Sequence, residues 1–397
     1  MRVFLIAGEA SGDKLGGALM AGLRSLRPDV HFSGVGGALM QAEGMDSLFE
    51  MSELSVMGLA EVLPKYRHLK RRIAQTAQAV IAARPDVLIT IDSPDFCLRV
   101  AKSVKAAAPI RVVHYVAPSV WAWRPGRAAK MAPLVDQVLA LLPFEPRFMH
   151  AAGIACDFVG HPVVAEPVAT LAEQTALRQA LGVGQAQPLI LALPGSRAGE
   201  VARMAPRFGE ALTPVLRAHP NARVLVPAAR SVVDAVRSHV QTWPGDPIVL
   251  DPSGQDTAAA EDAKRTAFAA ADVALATSGT VALELAAAGT PMVSAFDLNP
   301  ISRMLVSWLI RRHQGGLVTP TRGNLINIVT QSDIVPELIG AACTPAALAQ
   351  ALSQVIAAPD AQQAAMGEVM QALGRGGEAP GLRAARAVLA RMPQQTG

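Results

Sequence analysis

Cysteine and metal-ligand patterns are scarce in this sequence of 397 residues. The three cysteines, Cys97, Cys156 and Cys343, are odd in number and far apart, which excludes a disulfide framework and predicts a reducing compartment. No group of histidine, cysteine and acidic residues has the spacing of metal ligands, so we expect no metal site. A nucleophile elbow, a dinucleotide fingerprint and a Walker lysine are also missing, which argues against Ser-His-Asp hydrolases, dinucleotide enzymes and P-loop enzymes.

Long apolar runs are missing as well. No segment approaches the ~18 uncharged apolar residues of a membrane-spanning helix, and the apolar part of MRVFLIAGEASGD is too short for a signal peptide. The net charge of +4 is too weak by itself to indicate nucleic acid. Hydrophobic residues nevertheless make up 51% of the chain, which allows a sizeable core, and the mean hydropathy of +0.30 fits a surface that touches membrane.

Short apolar runs alternate with helix-like segments along the chain. Strands are predicted at 3–8, 86–92, 110–116 and 137–143, and again at 188–194, 222–228, 247–251, 272–277 and 291–296. These runs lack polar alternation, which is typical of buried parallel strands separated by helices.

The pattern weakens around 162–187, where we expect the interdomain linker. The sequence therefore predicts an α/β protein in which two Rossmann-like domains, 1–165 and 166–345, face a central cleft. C-terminal helices follow over 346–397. Ligands of such sheets bind beyond the carboxyl ends of the strands, so the loops at those ends are the candidate sites.

Two loops of the first domain carry candidate groups. GEASGDKLGG (8–17) is either an ordinary turn capped by Ser11 or Asp13, or a glycine loop whose Glu9 and Ser11 point into the cleft. IDSPDF (91–96) places Asp92 as the last residue of a buried strand, where a desolvated carboxylate suits a general base.

Two loops of the second domain have the composition of an anion site. PGSRAGEV (194–201) is either a strand-to-helix turn or a cradle for an anionic ligand. In TSGTVALE (277–284), Ser278, Gly279 and Thr280 begin a helix whose N–H groups can bind phosphate, and Glu284 can accept ribose hydroxyls.

Aromatic and amphipathic segments leave alternatives open. HYVAPSVWAWRPGR (114–127) suits sugar rings or acyl chains near a phosphate, or a tryptophan-anchored loop on the core. Residues 55–72 and 301–313 combine apolar and basic residues, as helices on anionic lipid do, but ordinary packing explains them equally well.

The order of these motifs resembles the lipid-A-disaccharide synthase family of GT-B glycosyltransferases. The resemblance runs from residue 3 to about 340 and rests on GEASGD, MQAEG, VMGLAEVL, IDSPDF, HYVAPSVWAWR, LPFE, VGHP, LPGSRxxEV and SGTxALE. It implies transfer of 2,3-diacylglucosamine from UDP-2,3-diacylglucosamine to the 6-hydroxyl of 2,3-diacylglucosamine 1-phosphate (lipid X). The product would be a β-1,6 disaccharide, with UDP released and no metal or other cofactor.

The resemblance also implies roles for residues. The general base falls on Asp92, with Glu9 and Ser11 in the neighbouring loop. The nucleotide contacts fall on Ser196, Arg197, Ser278, Gly279, Thr280 and Glu284. An asparagine before the VPE segment matches Asn327, although Asn324 competes and the arginine that is usual between the asparagine and the VPE segment is missing.

The same resemblance implies an enzyme on the cytoplasmic face of the bacterial inner membrane, held peripherally by anionic lipid. A homodimer is one possibility for its assembly. Another UDP-sugar enzyme, such as an epimerase, and a non-catalytic lipid or nucleotide carrier remain the competing interpretations. A carrier would keep its ligand-dependent behaviour after loss of Asp92.

Overall fold

The computed structural model describes residues 1–54, 59–122, 126–297, 304, 317–319 and 322–392, and gives only the main chain over 59–66. The chain forms two compact units. Unit 1 consists of Met1–Ala165 with Leu373–Gly397, and unit 2 of Glu166–Ala372.

Unit 1 contains a six-stranded sheet in which every neighbouring pair is parallel, with the order β2-β1-β3-β4-β5-β6. Its strands are β1 Arg2–Ala7, β2 His31–Val35, β3 Val87–Ile91, β4 Arg111–Tyr115, β5 Gln137–Ala140 and β6 Ala155–Phe158. The central strand β3 is buried at every residue, because helices cover both faces of the sheet. The described helices of its N-terminal part are α1 Ala10–Leu26, α2 Ala38–Ala42, α3 Leu59–Ala83, α4 Pro94–Ala107, α5 Gly126–Met131 and α6 Glu145–Ala151.

Unit 2 contains a second parallel six-stranded sheet, with the order β12-β11-β10-β7-β8-β9. Its strands are β7 Leu189–Leu193, β8 Arg223–Pro227, β9 Ile248–Leu250, β10 Val273–Thr277, β11 Met292–Phe296 and β12 Glu337–Ile339. The described helices are α7 Leu171–Ala180, α8 Ala198–Ala218, α9 Val233–Val240, α10 Thr257–Ala270, α11 Val281–Ala288, α12 Leu325–Thr330, α13 Pro345–Ala357 and α14 Asp360–Ala372.

The expected linker is mostly ordered structure. Helix α7 lies within 162–187 and begins with a capping box, in which Thr170 and Glu173 satisfy each other's main-chain N–H groups. Arg178 then fixes α7 to the end of α10 and to the loop before β7, because its guanidinium donates to the carbonyl oxygens of Ala270 and Gly184.

The C-terminal helices do not form one separate segment over 346–397. Helices α13 and α14 belong to unit 2, whereas the last helix, α15 Pro380–Ala390, belongs to unit 1. There α15 packs against α1 at two glycines. A Cβ atom on Gly22 would lie 2.7 Å from the carbonyl oxygen of Gly381, so this close approach requires glycine.

The fold class expected from the sequence, α/β with two Rossmann-like halves and C-terminal helices, is confirmed. In each sheet the strand order reverses at one point, between β1 and β3 in unit 1 and between β7 and β10 in unit 2. Ligands of doubly wound sheets bind at such switch points. No described helix is long and apolar enough to span a bilayer.

Candidate functional site

The loop after β3 holds Asp92 in an unusual main-chain conformation. The strand ends at Ile91, one residue earlier than expected, and Asp92 follows it with φ of +50°. Ser93 also has a positive φ, +41°. A non-glycine residue in this region costs on the order of 1–3 kcal/mol, and such strain is concentrated at functional sites. The half-buried Asp92 is held there by its N–H, which donates to the Tyr115 carbonyl oxygen over 2.9 Å.

The loop after β1 lies against this strained turn. A Cβ atom on Gly8 would stand 2.6 Å from the Ser93 Oγ atom, so glycine is needed for the close approach. Glu9 follows as the half-buried N-cap residue of α1, and Ser11 lies exposed in the first turn. The carboxyl ends of two neighbouring strands therefore bring Glu9 and Asp92 to the same edge of the sheet.

Neither Ser11 nor Asp13 caps α1, which has no side-chain cap. The carboxylate of the buried Asp13 instead accepts hydrogen bonds from the N–H groups of Gly37, Leu39 and Met40, at 2.8–3.1 Å. It thereby caps α2 and fixes the glycine-rich turn after β2. The sequence spacing could not show this contact, because its partners lie 24 to 27 residues away.

The aromatic segment of unit 1 is anchored in the core at Trp121. This side chain is 8% exposed, packs edge-on against Phe144 and donates from Nε1 to Glu145 over 3.1 Å. Burial raises the pKa of Glu145 to about 7, although hydrogen bonds from Trp121 and from the main chain of Leu141 and Leu142 oppose the shift. Trp123 and Arg124 lie outside the described residues.

A cavity of about 600 Å³ opens at the switch point of unit 2. Its walls come from the loops after β7, β8 and β10 and from helices α10 and α11. The predicted nucleotide residues Ser196, Arg197, Ser278, Gly279, Thr280 and Glu284 all line it. The structure therefore brings together the second-domain candidates, with the exception of Asn327.

The loop after β7 combines a left-handed glycine with an ion pair. Gly195 has φ of +128°, and a Cβ atom there would lie 2.6 Å from the Cβ atom of Glu200. Glu200 accepts a hydrogen bond from the Ser196 N–H over 3.2 Å and pairs with Arg197 over 2.8 Å. Arg197 is 68% exposed, so its guanidinium is available to an anion, and Glu200 orients it.

Helix α11 presents its N-terminus to the same cavity. The Ser278 N–H extends the sheet by donating to the Ala295 carbonyl oxygen over 2.8 Å. In the part of the chain that the structure describes, the N–H groups of Gly279 and Thr280 have no acceptor, and Thr280 supplies no side-chain cap. Two free donors at the positive end of the helix dipole suit a phosphate group.

Glu284 is held in place by a lysine that the sequence analysis did not identify. The Lys264 Nζ atom lies 2.6 Å from Oε2 of Glu284 and 3.4 Å from Oε2 of Glu261. Burial lowers the pKa of Lys264, but the two carboxylates outweigh it and the net shift is upward. The only sequence signal was the three-residue spacing of Glu261 and Lys264 on one helix face.

The predicted Asn327 lies outside the residues that line the cavity and is 1% exposed. Its amide is fully engaged, because Nδ2 donates to the Val335 carbonyl oxygen and to Glu337, and Oδ1 accepts from the Val335 N–H. Asn324 caps α12 through Oδ1, while its buried Nδ2 has no described partner. Glu337 accepts from the N–H groups of both Gly323 and Asn324, so it fixes the loop before α12.

The amphipathic segments are described only in part. Residues 55–58 and most of 301–313 lie outside the described residues. On α3, Arg72 and His68 turn onto Glu53, which lies 2.6 Å from each of them. Arg67, Lys70 and Arg71 are exposed and form the basic face of the helix.

Two solved structures with a similar fold contain UDP-GlcNAc in one case and UDP with glucose in the other. UDP-GlcNAc 2-epimerase from Neisseria meningitidis, bound to UDP-GlcNAc, aligns with a TM-score of 0.60 at 12% identity. Anabaena Alr3699/HepE, in complex with UDP and glucose, aligns with a TM-score of 0.57, also at 12% identity. Each alignment covers 98% of this chain and 99% of the neighbour. At such low identity the likeness concerns the fold alone.

Sequence relatives identify the family. A lipid-A-disaccharide synthase from Ruegeria pomeroyi is 62% identical over 393 residues, which are 99% of this chain and 96% of the relative. One from Rhodospirillum centenum is 44% identical over 392 residues, or 98% and 94%. The family profile described as Lipid-A-disaccharide synthetase matches residues 3–380. The chain therefore belongs to the lipid-A-disaccharide synthase family of glycosyltransferases.

Proposed function

We propose that this chain transfers 2,3-diacylglucosamine from UDP-2,3-diacylglucosamine to the 6-hydroxyl of 2,3-diacylglucosamine 1-phosphate. Anomeric inversion gives the β-1,6 disaccharide and UDP. The observation that supports the proposal is that both switch points present polar groups suited to this reaction. One presents a carboxylate on a strained turn, and the other presents cations and free N–H groups around a cavity of about 600 Å³.

Asp92 is the proposed general base. It removes the proton of the acceptor 6-hydroxyl as that oxygen forms a bond to the anomeric carbon of the donor. The bond from the anomeric carbon to the diphosphate oxygen breaks in the same step. Glu9 is the second carboxylate at this edge of the sheet and is proposed to bind acceptor hydroxyls, with Ser11 beside it.

The departing UDP carries the negative charge that develops in this step. Arg197 and the N–H groups of Gly279 and Thr280 are proposed to bind its diphosphate. The hydroxyls of Ser196, Ser278 and Thr280 are proposed to add neutral hydrogen bonds. Glu284 then accepts hydrogen bonds from the ribose hydroxyls, which orients the nucleotide. For Asn327, the buried contacts favour an indirect role through Glu337.

The test compares Asp92→Asn with Asp95→Asn, an exposed aspartate three residues further on, in the first turn of α4. General-base loss is expected to lower turnover by about 10²–10⁴-fold, measured as UDP release with both diacylated substrates. UDP affinity is expected to remain unchanged, because the nucleotide residues lie in unit 2. Equal activity of the two variants would remove Asp92 from the mechanism, and a wild-type protein that releases no UDP would overturn the transferase. Epimerisation of UDP-GlcNAc instead would support the second UDP-sugar enzyme class.

We also propose peripheral binding to anionic lipid on the cytoplasmic face of the inner membrane, through the basic face of α3. Both substrates carry acyl chains, and Lys70 and Arg71 are exposed there. Lys70→Glu with Arg71→Glu is expected to weaken binding to vesicles that contain phosphatidylglycerol. The matched control is Arg99→Glu with Lys102→Glu on α4, also exposed. Equal vesicle binding of the two variants would exclude this surface.

A further inference from the structure

We propose that Lys264 is a positioning residue for nucleotide recognition: it holds the Glu284 carboxylate in the geometry that distinguishes a ribose from a 2′-deoxyribose. The inference rests on the proposed binding of UDP in the unit 2 cavity. It concerns a side chain on α10, an element that the motifs of the sequence do not include.

The geometry connects three charged groups along one wall of the cavity. Lys264, Glu261 and Glu284 all line it. The Lys264 Nζ atom makes its short contact, 2.6 Å, across from α10 to Glu284 on α11, and its longer contact, 3.4 Å, to Glu261 on its own helix. The ammonium group also lies 5.7 Å from the centre of the Phe268 ring. These contacts fix the side chain from three directions.

This arrangement leaves one carboxylate oxygen for a ligand. Lys264 occupies Oε2 of Glu284, and the described residues give Oε1 no hydrogen bond. A carboxylate that lines the cavity, with one oxygen anchored and the other without a described partner, is a hydroxyl acceptor with a fixed orientation. A hydrogen bond that a hydroxyl donates to a carboxylate is charge-assisted, and it is therefore stronger than a hydrogen bond between neutral groups.

Lys264 also offsets negative charge on the wall of the cavity. Without it, Glu261 and Glu284 would present two uncompensated negative charges near the proposed diphosphate site. Like charges at short range disfavour an anionic ligand, and the effect grows where water is partly excluded. Lys264 therefore allows an acidic ribose acceptor and an anionic diphosphate to share one cavity.

The test measures the affinities of UDP and of 2′-deoxy-UDP by titration calorimetry. A charge-assisted hydrogen bond is worth about 1.5–3 kcal/mol, so the wild-type protein is expected to prefer UDP by roughly 10- to 100-fold. Lys264→Met and Glu284→Gln are each expected to reduce this preference to under about threefold. The double variant should lose no more preference than either single variant, because the two residues act as one unit.

Two further variants separate positioning from folding. Lys264→Arg keeps a cation at the same place and is expected to retain most of the preference. Arg265→Met changes the neighbouring residue, which pairs with Glu173 at 2.9 Å and does not line the cavity, and should leave both affinities unchanged. A structural role alone would weaken both nucleotides equally.

The inference is overturned if Lys264→Met binds UDP with the wild-type preference over 2′-deoxy-UDP, or if it loses both nucleotides in parallel. A wild-type protein that binds neither nucleotide overturns the proposed function itself. This outcome is distinguishable, because the other two are seen only in Lys264→Met.

Discussion

At the switch point of unit 1, Asp92 and Ser93 after β3 occupy left-handed main-chain positions, whereas at the switch point of unit 2 the residue with a positive φ is Gly195, after β7. A glycine adopts this conformation without strain, but a residue with a side chain does not. In unit 2 the proposed ligand groups are N–H donors and the neighbouring Arg197, so the turn itself can be glycine. In unit 1 the proposed base is the side chain of the turn residue, so the turn carries strain that the surrounding sheet must offset.

The partners of three acidic side chains also differ between the two units. In unit 2, Glu200 and Glu284 are paired with Arg197 and Lys264. In unit 1, Glu145 is buried, with only neutral donors around it. Burial without a cationic partner raises the pKa of Glu145 to about 7. The two carboxylates of the proposed nucleotide site are therefore paired with cations, whereas Glu145, which anchors the aromatic segment of unit 1, accepts only neutral hydrogen bonds.

Gly195→Ala is the most destabilising change that the comparison predicts. The new Cβ atom would meet Glu200 at 2.6 Å, at a φ of +128° that alanine rarely adopts. Overpacking and main-chain strain together are expected to cost about 3 kcal/mol, measured by urea denaturation.

The control for this change is Gly279→Ala in the same cavity, where a Cβ atom meets nothing within 4 Å. It should be close to neutral for the stability of the ligand-free protein. Equal losses in both variants would mean that Gly195 is not conformationally required.

The second-largest predicted effect is a pH-dependent contribution of Glu145 to the free energy of unfolding. Its folded-state pKa of about 7 lies above the usual value of 4.5, so the folded state binds more protons than the unfolded state between these values. Stability from this group is therefore full at low pH and is lost as pH rises towards 7, by at most about 3 kcal/mol. Urea denaturation at pH 5, 6, 7 and 8 should show that the stability of the wild type relative to Glu145→Gln falls as pH rises.

His114 supplies an internal contrast in the same unit. Burial lowers its pKa from 6.5 to about 4, so its stability contribution is lost as pH falls through that range, opposite to Glu145. Because Glu145→Gln leaves His114 intact, the difference between the two proteins isolates the carboxyl group. A difference that is constant from pH 5 to 8 would contradict the raised pKa of Glu145.

The central strands could be predicted from sequence, because a fully buried parallel strand leaves an apolar run. Three edge strands were not predicted, namely β2 (HFSGV), β6 (ACDF) and β12 (ELI). They are short and only partly buried, so their composition carries little hydrophobic signal. Helix α7 was missed although its capping box, Thr170 with Glu173, is visible in the sequence.

The site was predictable where motifs follow strands directly, and unpredictable where partners are distant in sequence. The loops at Asp92 and Arg197 follow buried strands, so their place at the sheet edge could be inferred. The positive φ of Asp92 could not, because an apolar pattern does not report main-chain dihedral angles. The contacts Asp13 to Gly37 and Lys264 to Glu284 join different elements, and nothing in the local sequence of either partner encodes them.

Ser93→Gly gives the smallest effect and the most direct measure of the strain in unit 1. Glycine relieves the φ of +41°, worth about 1–3 kcal/mol, but loses about 0.5–1 kcal/mol because the unfolded chain becomes more flexible. The net expectation is stabilisation by about 1 kcal/mol in urea denaturation.

Ser103→Gly, at an exposed position inside α4, is the matched control. It carries the same unfolded-state cost with no strain to relieve, so it is expected to destabilise by about 0.5–1 kcal/mol. Since both variants exchange serine for glycine, the difference in their free energies of unfolding reports the main-chain strain at Ser93. If both variants were destabilised equally, Ser93 would be unstrained. The two switch points would then differ in their charged groups but not in main-chain strain at this residue.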